Sequence, residues 1–182
     1  MVRELFSVCF IYFYMVNKKT RKSISKKSSK TKTRKNNYRS KIKEMEKIFK
    51  LYPDVFPSGY FRFFNASISN KIKNNEYIFK NGVIMTWKIY KRKSQIHTDK
   101  FPIEVGDVKI NQLVNKNPGN GKAKKIFTSF LKEHNKKKIY LDVRSDNKRA
   151  IKFYKKNKFR KIGEVIVGKD KLKMTIMRRN PQ

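Results

Sequence analysis

The chain has 182 residues, enough for one domain with an extension and a single sizeable core. Its 48 lysines and arginines against 13 acids give a formal net charge of +35, which favours nucleic acid, acidic surfaces or phosphorylated cofactors as partners. The single cysteine, Cys9, excludes an internal disulfide framework and a cysteine-built metal site. The two histidines, His97 and His134, are not spaced as a ligand pair and read as surface residues, so no metal is expected.

Leu5–Val16 is an apolar, aromatic run of 12 residues, short for a membrane span, which needs about 20. It has neither a basic leader nor a small-residue cleavage site. Residues 1–16 read as a weak anchor at most, or residues 1–14 of them as untranslated sequence ahead of a start at Met15; neither membrane attachment nor export is expected. From Asn17 to Lys43 come 13 basic residues, no acid and no apolar periodicity. Residues 17–40 read as a disordered basic arm. Through 17–43 it would contact nucleic acid non-specifically, act as a nuclear-localisation patch in a eukaryotic host, or simply be solvated. The folded domain is expected over 41–182, in the cytoplasm.

Ile42, Met45, Ile48, Phe49 and Tyr52 share one helical face, and Pro53 ends that run. An aromatic cluster, Gly59–Ile68, reads as a second short helix. Two β-rich runs then meet at Asn81-Gly82, the preferred two-residue hairpin turn. Val105–Val114 reads as a strand. A glycine turn follows, and then a helix over about Asn120–Asn135 with Ile126, Phe127, Phe130 and Leu131 as its buried stripe. Lys137–Val143 reads as a strand, Asn147–Lys156 as a helix, and the end as two strands around a Gly-Lys-Asp turn. The result is an α/β fold, a mixed and mostly antiparallel sheet flanked by helices.

Pro118-Gly-Asn-Gly-Lys-Ala123 opens a helix, where unpaired N–H groups attract an anion and glycine lets it approach. A nucleotide P-loop would need glycine at Lys116 and Ser or Thr at Ala123. A dinucleotide fingerprint would need glycine at Lys124. Both are excluded, and the loop alone leaves the anion open.

One strand and one helix further on stands Asn147-Lys-Arg-Ala150-Ile-Lys-Phe-Tyr154-Lys-Lys-Asn-Lys158-Phe159. Together the two segments resemble the GNAT superfamily of N-acetyltransferases over roughly residues 75–178. That family's cofactor loop has the form Q/R-x-x-G-x-G/A, matched at Gly121 and Ala123, between its fourth strand and third helix. Its later segment reads N-x-x-A-x-x-x-Y-x-x-x-G-F, matched at Asn147, Ala150, Tyr154 and Phe159. Two positions depart: Pro118 replaces the usual Arg or Gln, and Lys158 replaces the glycine, which would reshape that helix end. A first strand is not evident.

The resemblance implies a GNAT acyl-CoA N-acyltransferase-like fold and acetyl-CoA as co-substrate. The N–H groups of Gly119, Asn120, Gly121, Lys122 and Ala123 would cradle its pyrophosphate. Its pantetheine arm would lie along the strand at Leu113 and Val114, where neighbouring strands splay and a backbone N–H would hold the oxyanion. Tyr154 would be the general acid toward the CoA sulfur, and Asn147 would cap its helix and orient the cofactor. Glu76, Glu104 and Asp107 read as surface carboxylates, so no general base is assigned.

By resemblance the acceptor amine would enter between the Tyr60–Phe64 aromatics, which read mainly as core, and the last hairpin, Gly163–Met177. Residues 51–182 alone carry 32 basic and 10 acidic residues. An acidic peptide or protein therefore suits the site better than a polycation. The competing reading is a basic nucleic-acid-binding protein on a catalytically degenerate fold of this kind.

Overall fold

The computed structural model describes residues 30–56, 58–96, 98–167 and 171–182. The apolar run at 5–16, most of the basic arm, Cys9 and His97 lie outside the described residues. Helix α1 (Lys30–Phe49) leads through a 3-10 turn (Ser58–Phe63) into α2 (Phe64–Lys73). Strands β1 (Tyr77–Lys80) and β2 (Val83–Ile89) form the expected hairpin. A small pair, β3 (Ser94–Ile96) and β4 (Thr98–Ile103), comes next. Then follow β5 (Val108–Asn115), α3 (Lys122–Glu133), β6 (Ile139–Arg144), α4 (Lys148–Lys156), β7 (Arg160–Val167) and β8 (Leu172–Arg179).

The main sheet has the order β1-β2-β5-β6-β8-β7, and β3 and β4 pair separately. All its pairings are antiparallel except β5–β6, because only there does a helix, α3, carry the chain back to the starting edge. Asn81 and Gly82 both have positive φ, 54° and 74°, the geometry that a two-residue turn between twisted strands requires.

Strand alternation divides the core between the two sheet faces. Met85, Trp87, Ile110, Leu141 and Met177 face α3 and α4, packing with Phe127, Phe130 and Phe159. Their chain neighbours point the other way. Ile84 meets Met45, Phe49, Phe64 and Ile68 of α1 and α2, and Tyr140 and Ile176 meet Ile96, Phe101 and Ile103 of the β3–β4 pair. Gly163 of β7 makes room for that pair: a Cβ there would stand 2.3 Å from the Phe101 ring.

Several expectations change. The helix begins at Lys30, so residues 30–40 are helical instead of forming part of a disordered arm. Lysine and arginine are good helix formers, and the Tyr38 hydroxyl fixes this turn by donating to the Ser69 carbonyl at 3.0 Å. The β3–β4 pair was not foreseen, since its few apolar residues are separated by polar ones. His134 is buried at 6% exposure rather than on the surface, with its ring 4.4 Å from Phe130.

Glu76 and Asp107 are likewise buried. Glu76 accepts from the Ile89 N–H at 2.8 Å and from the Lys71 ammonium at 3.2 Å, tying α2 to the end of β2. Asp107 accepts from the Glu104 N–H at 2.9 Å and closes the turn into β5. Both carboxylates are structural. Glu104 is exposed as expected and pairs with Lys93.

Candidate active site

The site begins where β5 and β6 part. They pair only at Val108–Ile139, Lys109–Tyr140 and Ile110–Leu141, although β6 runs on to Arg144 and β5 to Asn115. On its other edge β5 stays paired with β2 as far as Asn115, with a bulge that leaves Asn111 as an extra residue between the Thr86–Gln112 and Trp87–Ile110 pairs. A bulge bends its strand and re-aims the residues on its far side. Past this one, the upper half of β5 has an open edge facing a cleft.

The register shows which groups face that cleft. The Lys116 N–H donates to the Gly82 carbonyl across the β2 side. Counting back in steps of two, Val114 also turns its N–H and carbonyl to β2, whereas Leu113 and Asn115 turn theirs to the cleft. Leu113 is therefore the backbone contact at the open edge. Val114, expected beside it, contributes instead a side chain buried against α1 and α2.

A cavity of about 480 Å³ occupies the cleft. Of the residues singled out in the sequence, Leu113, Val114, Gly119, Gly121, Ala123, Asn147 and Tyr154 line it. Asn120 and Lys122 do not. Asn120 folds its side chain back to accept from the Lys122 N–H at 3.1 Å, so that N–H is engaged within the loop rather than directed at an anion. Gly119 and Gly121 have φ of 93° and 73°, and a Cβ on either would meet nothing within 4 Å. Both positions lie in the left-handed region that favours glycine, and open space lies beside each. Gly121 is the N-cap of α3 without any capping side chain, and the helix dipole there favours negative charge.

Asn147 caps α4 as expected, its Oδ1 accepting from the Ala150 N–H at 3.0 Å. The next helical turns bring Tyr154 onto the cavity wall among Phe127, Phe153 and Phe159, with ring centroids 5.5–5.8 Å away. Burial first, and then the negative charge of Asp142, push the Tyr154 phenol up to about 12. It is protonated throughout the physiological range. The end of α4 is not reshaped by Lys158. The Phe159 N–H returns to the Tyr154 carbonyl and the Lys158 N–H to the Lys155 carbonyl, with Lys158 left-handed at φ 66°. This is the Schellman closure a glycine would make, here made by lysine.

Asp142 was missed in the sequence. It follows Leu141, the last β6 residue paired with β5, and so stands at the fork. Alternation places it on the face opposite α3 and α4, where its carboxylate is 8% exposed and lies 2.8 Å from the Lys109 ammonium. The available signal was an acid inside the apolar run Ile139-Tyr-Leu-Asp-Val143, a position that is costly unless the charge has a partner or a task. Among the described residues no group of acids, histidines or cysteines is arranged to hold a metal ion.

No protein-family model and no curated protein matches this chain, but solved structures do. A protein described as histone acetyltransferase HPA2 and related acetyltransferase, from Corynebacterium glutamicum, aligns at 14% identity and a TM-score of 0.58, over 81% of this chain and 92% of its own. Naa20 of Chaetomium thermophilum, solved with a bisubstrate analogue, aligns at 14% identity and 0.58, over 77% and 83%. PH1933 of Pyrococcus horikoshii aligns at 15% identity and 0.55, over 78% and 90%. The architecture is that of the GNAT N-acetyltransferases. In particular, this chain has a mostly antiparallel sheet whose single parallel pair opens beside a glycine-turned helix start.

Proposed function

We propose that the protein is an acetyl-CoA-dependent N-acetyltransferase acting on a primary amine. The observation that carries this reading is the parting of β5 from β6 directly beside the Gly119–Gly121 turn. Such a cleft takes an extended arm as an added strand while the helix start takes phosphate. The start of α3, where Gly121 adds no capping side chain of its own, and Lys124, which also lines the cavity, supply positive potential for the pyrophosphate. Pro118 offers no side-chain donor there, so the backbone and the lysines carry that contact. The Leu113 N–H, turned into the cleft, is the donor suited to the oxyanion, a contribution worth about 3 kcal/mol in comparable sites.

In the reaction the amine nitrogen attacks the thioester carbonyl, and collapse of the tetrahedral intermediate breaks the C–S bond with its electron pair passing to sulfur. Tyr154 faces that sulfur as a neutral phenol. A thiol's ordinary pKa is about 8.5, well below that of this phenol, so Tyr154 acts first as a hydrogen-bond donor to the developing thiolate. Proton transfer to sulfur completes as the amine's own proton is lost. Asp142, beside the fork but not on the cavity wall, accepts the ammonium's proton through water. The related Naa20 structure contains a bisubstrate analogue, which fits a peptide or protein amine as acceptor, and the charge of this chain favours an acidic one. Turnover of acetyl-CoA against a panel of peptides and small amines tests the reading, with wild-type protein and Tyr154→Phe compared side by side.

A further inference from the structure

The open edge of β5 determines how an extended arm can pair with the strand. Leu113 and Asn115 both turn toward the cleft, offering two N–H groups and two carbonyls. One of these four is already engaged: the Tyr52 hydroxyl donates to the Asn115 carbonyl from 63 positions away in the chain. Tyr52 belongs to the connection between α1 and the 3-10 turn, whose Val55 and Phe56 also line the cavity. The same connection is anchored to the other strand as well, through an Arg144 guanidinium N–H that donates to the Asp54 carbonyl at 3.4 Å. Residues 52–56 therefore bridge β5 and β6 across the mouth of the cleft. The bridge is only partly buried: Val55 is 51% exposed, while Tyr52 and Phe56 pack at the edge of the α1–α2 core, Phe56 4.7 Å from Phe49.

We propose that this segment is a strap latched by Tyr52, which competes with the pantetheine arm of acetyl-CoA for the Asn115 carbonyl. The inference rests on the acetyl-CoA reading above. The arm carries two amide N–H groups, and each needs an acceptor once it leaves water. A carbonyl can accept twice, but while Tyr52 holds Asn115 its phenol fills the cleft side of that carbonyl, where the arm would approach. Full pairing of the arm requires the hydroxyl to let go, so cofactor binding and opening of the strap are coupled.

Calorimetric titration with CoA, and with 3′,5′-ADP as a probe that keeps nucleotide phosphates but lacks the arm, tests this. Tyr52→Phe is expected to bind CoA about fivefold more tightly than wild type, the return on one hydrogen bond no longer broken, with its affinity for 3′,5′-ADP unchanged. Arg144→Met, which cuts the other anchor, is expected to shift CoA affinity in the same direction and provides the test should Tyr52→Phe fail to fold. Equal CoA affinities in wild type and both variants would overturn the latch and leave the acetyl-CoA reading intact. Weaker CoA binding by Tyr52→Phe would overturn it too, making Tyr52 a fixed wall of the site. Absence of CoA binding by all three proteins would overturn both.

Discussion

Asp142 and His134 both have largely enclosed side chains, but only Asp142 stands beside the fork of β5 and β6. Asp142→Asn keeps the shape and a hydrogen-bonding partner for Lys109 while removing the charge at the fork. The expected result is a loss of at least about tenfold in kcat/KM for the acceptor, near-unchanged CoA affinity, and about 2 kcal/mol less stability from the weakened pair. Steady-state kinetics and denaturant titration read the two effects separately; an unchanged rate would leave Asp142 with a structural role alone. His134 governs stability instead. Burial lowers its pKa from the ordinary 6.5, more than the Glu133 carboxylate raises it, with Lys137 adding a smaller push down. The unfolded chain then binds a proton that the folded chain refuses, so stability is full above about pH 6.5 and declines as pH falls below it. Urea midpoints at pH 7.5 and 5.5 should differ in that direction, and His134→Phe should reduce the difference. The carboxylates held low by their partners, Asp146 and Glu164, titrate below this window. Tyr154 and Asn147 were singled out through the resemblance, whose spacing of three and seven residues a helix preserves. Asp142 was not, because the pairing that makes its position a fork lies between segments about thirty residues apart.

Among the elements, α4 shows how a departure from a family pattern is absorbed. Its Schellman end needs one left-handed residue, and Lys158 adopts that conformation at φ 66°, while its ammonium reaches the Gln182 side chain at 2.6 Å. A left-handed non-glycine residue costs about 1–2 kcal/mol, and glycine's extra freedom in the unfolded chain returns about 0.5–1 kcal/mol of that. Lys158→Gly should therefore stabilise the protein slightly, by about 0.5 kcal/mol, without altering CoA affinity. A fall in the denaturation midpoint would show that the lysine's own contacts matter more. Helices and the β1–β2 hairpin were readable because periodicity and turn chemistry are local. The β3–β4 pair was not, because its three buried apolar residues are stabilised by Tyr140 and Ile176 on distant strands. The start of α1 was missed for a related reason: its hold on α2 through Tyr38 is a tertiary contact.

For the whole molecule, the sheet order and the net charge act together. The sheet brings the glycine turn, the capped α4 and the open edge of β5 around one cavity, while the surplus of lysine and arginine draws in any polyanion. Stabilisation by a phosphorylated ligand is therefore weak evidence unless inorganic phosphate at equal ionic strength fails to reproduce it. A nucleic-acid binder on the same fold would lose affinity steeply with salt and would leave acetyl-CoA intact. The most direct test of the central claim is release of CoA from acetyl-CoA in the presence of an acidic peptide panel, with Tyr154→Phe alongside wild type. Acceptor-dependent release by wild type, lowered at least about tenfold in Tyr154→Phe with CoA affinity preserved, is the predicted result. The same rate in both proteins would contradict Tyr154 as the acid, and no acceptor-dependent release by wild type would contradict the enzyme itself.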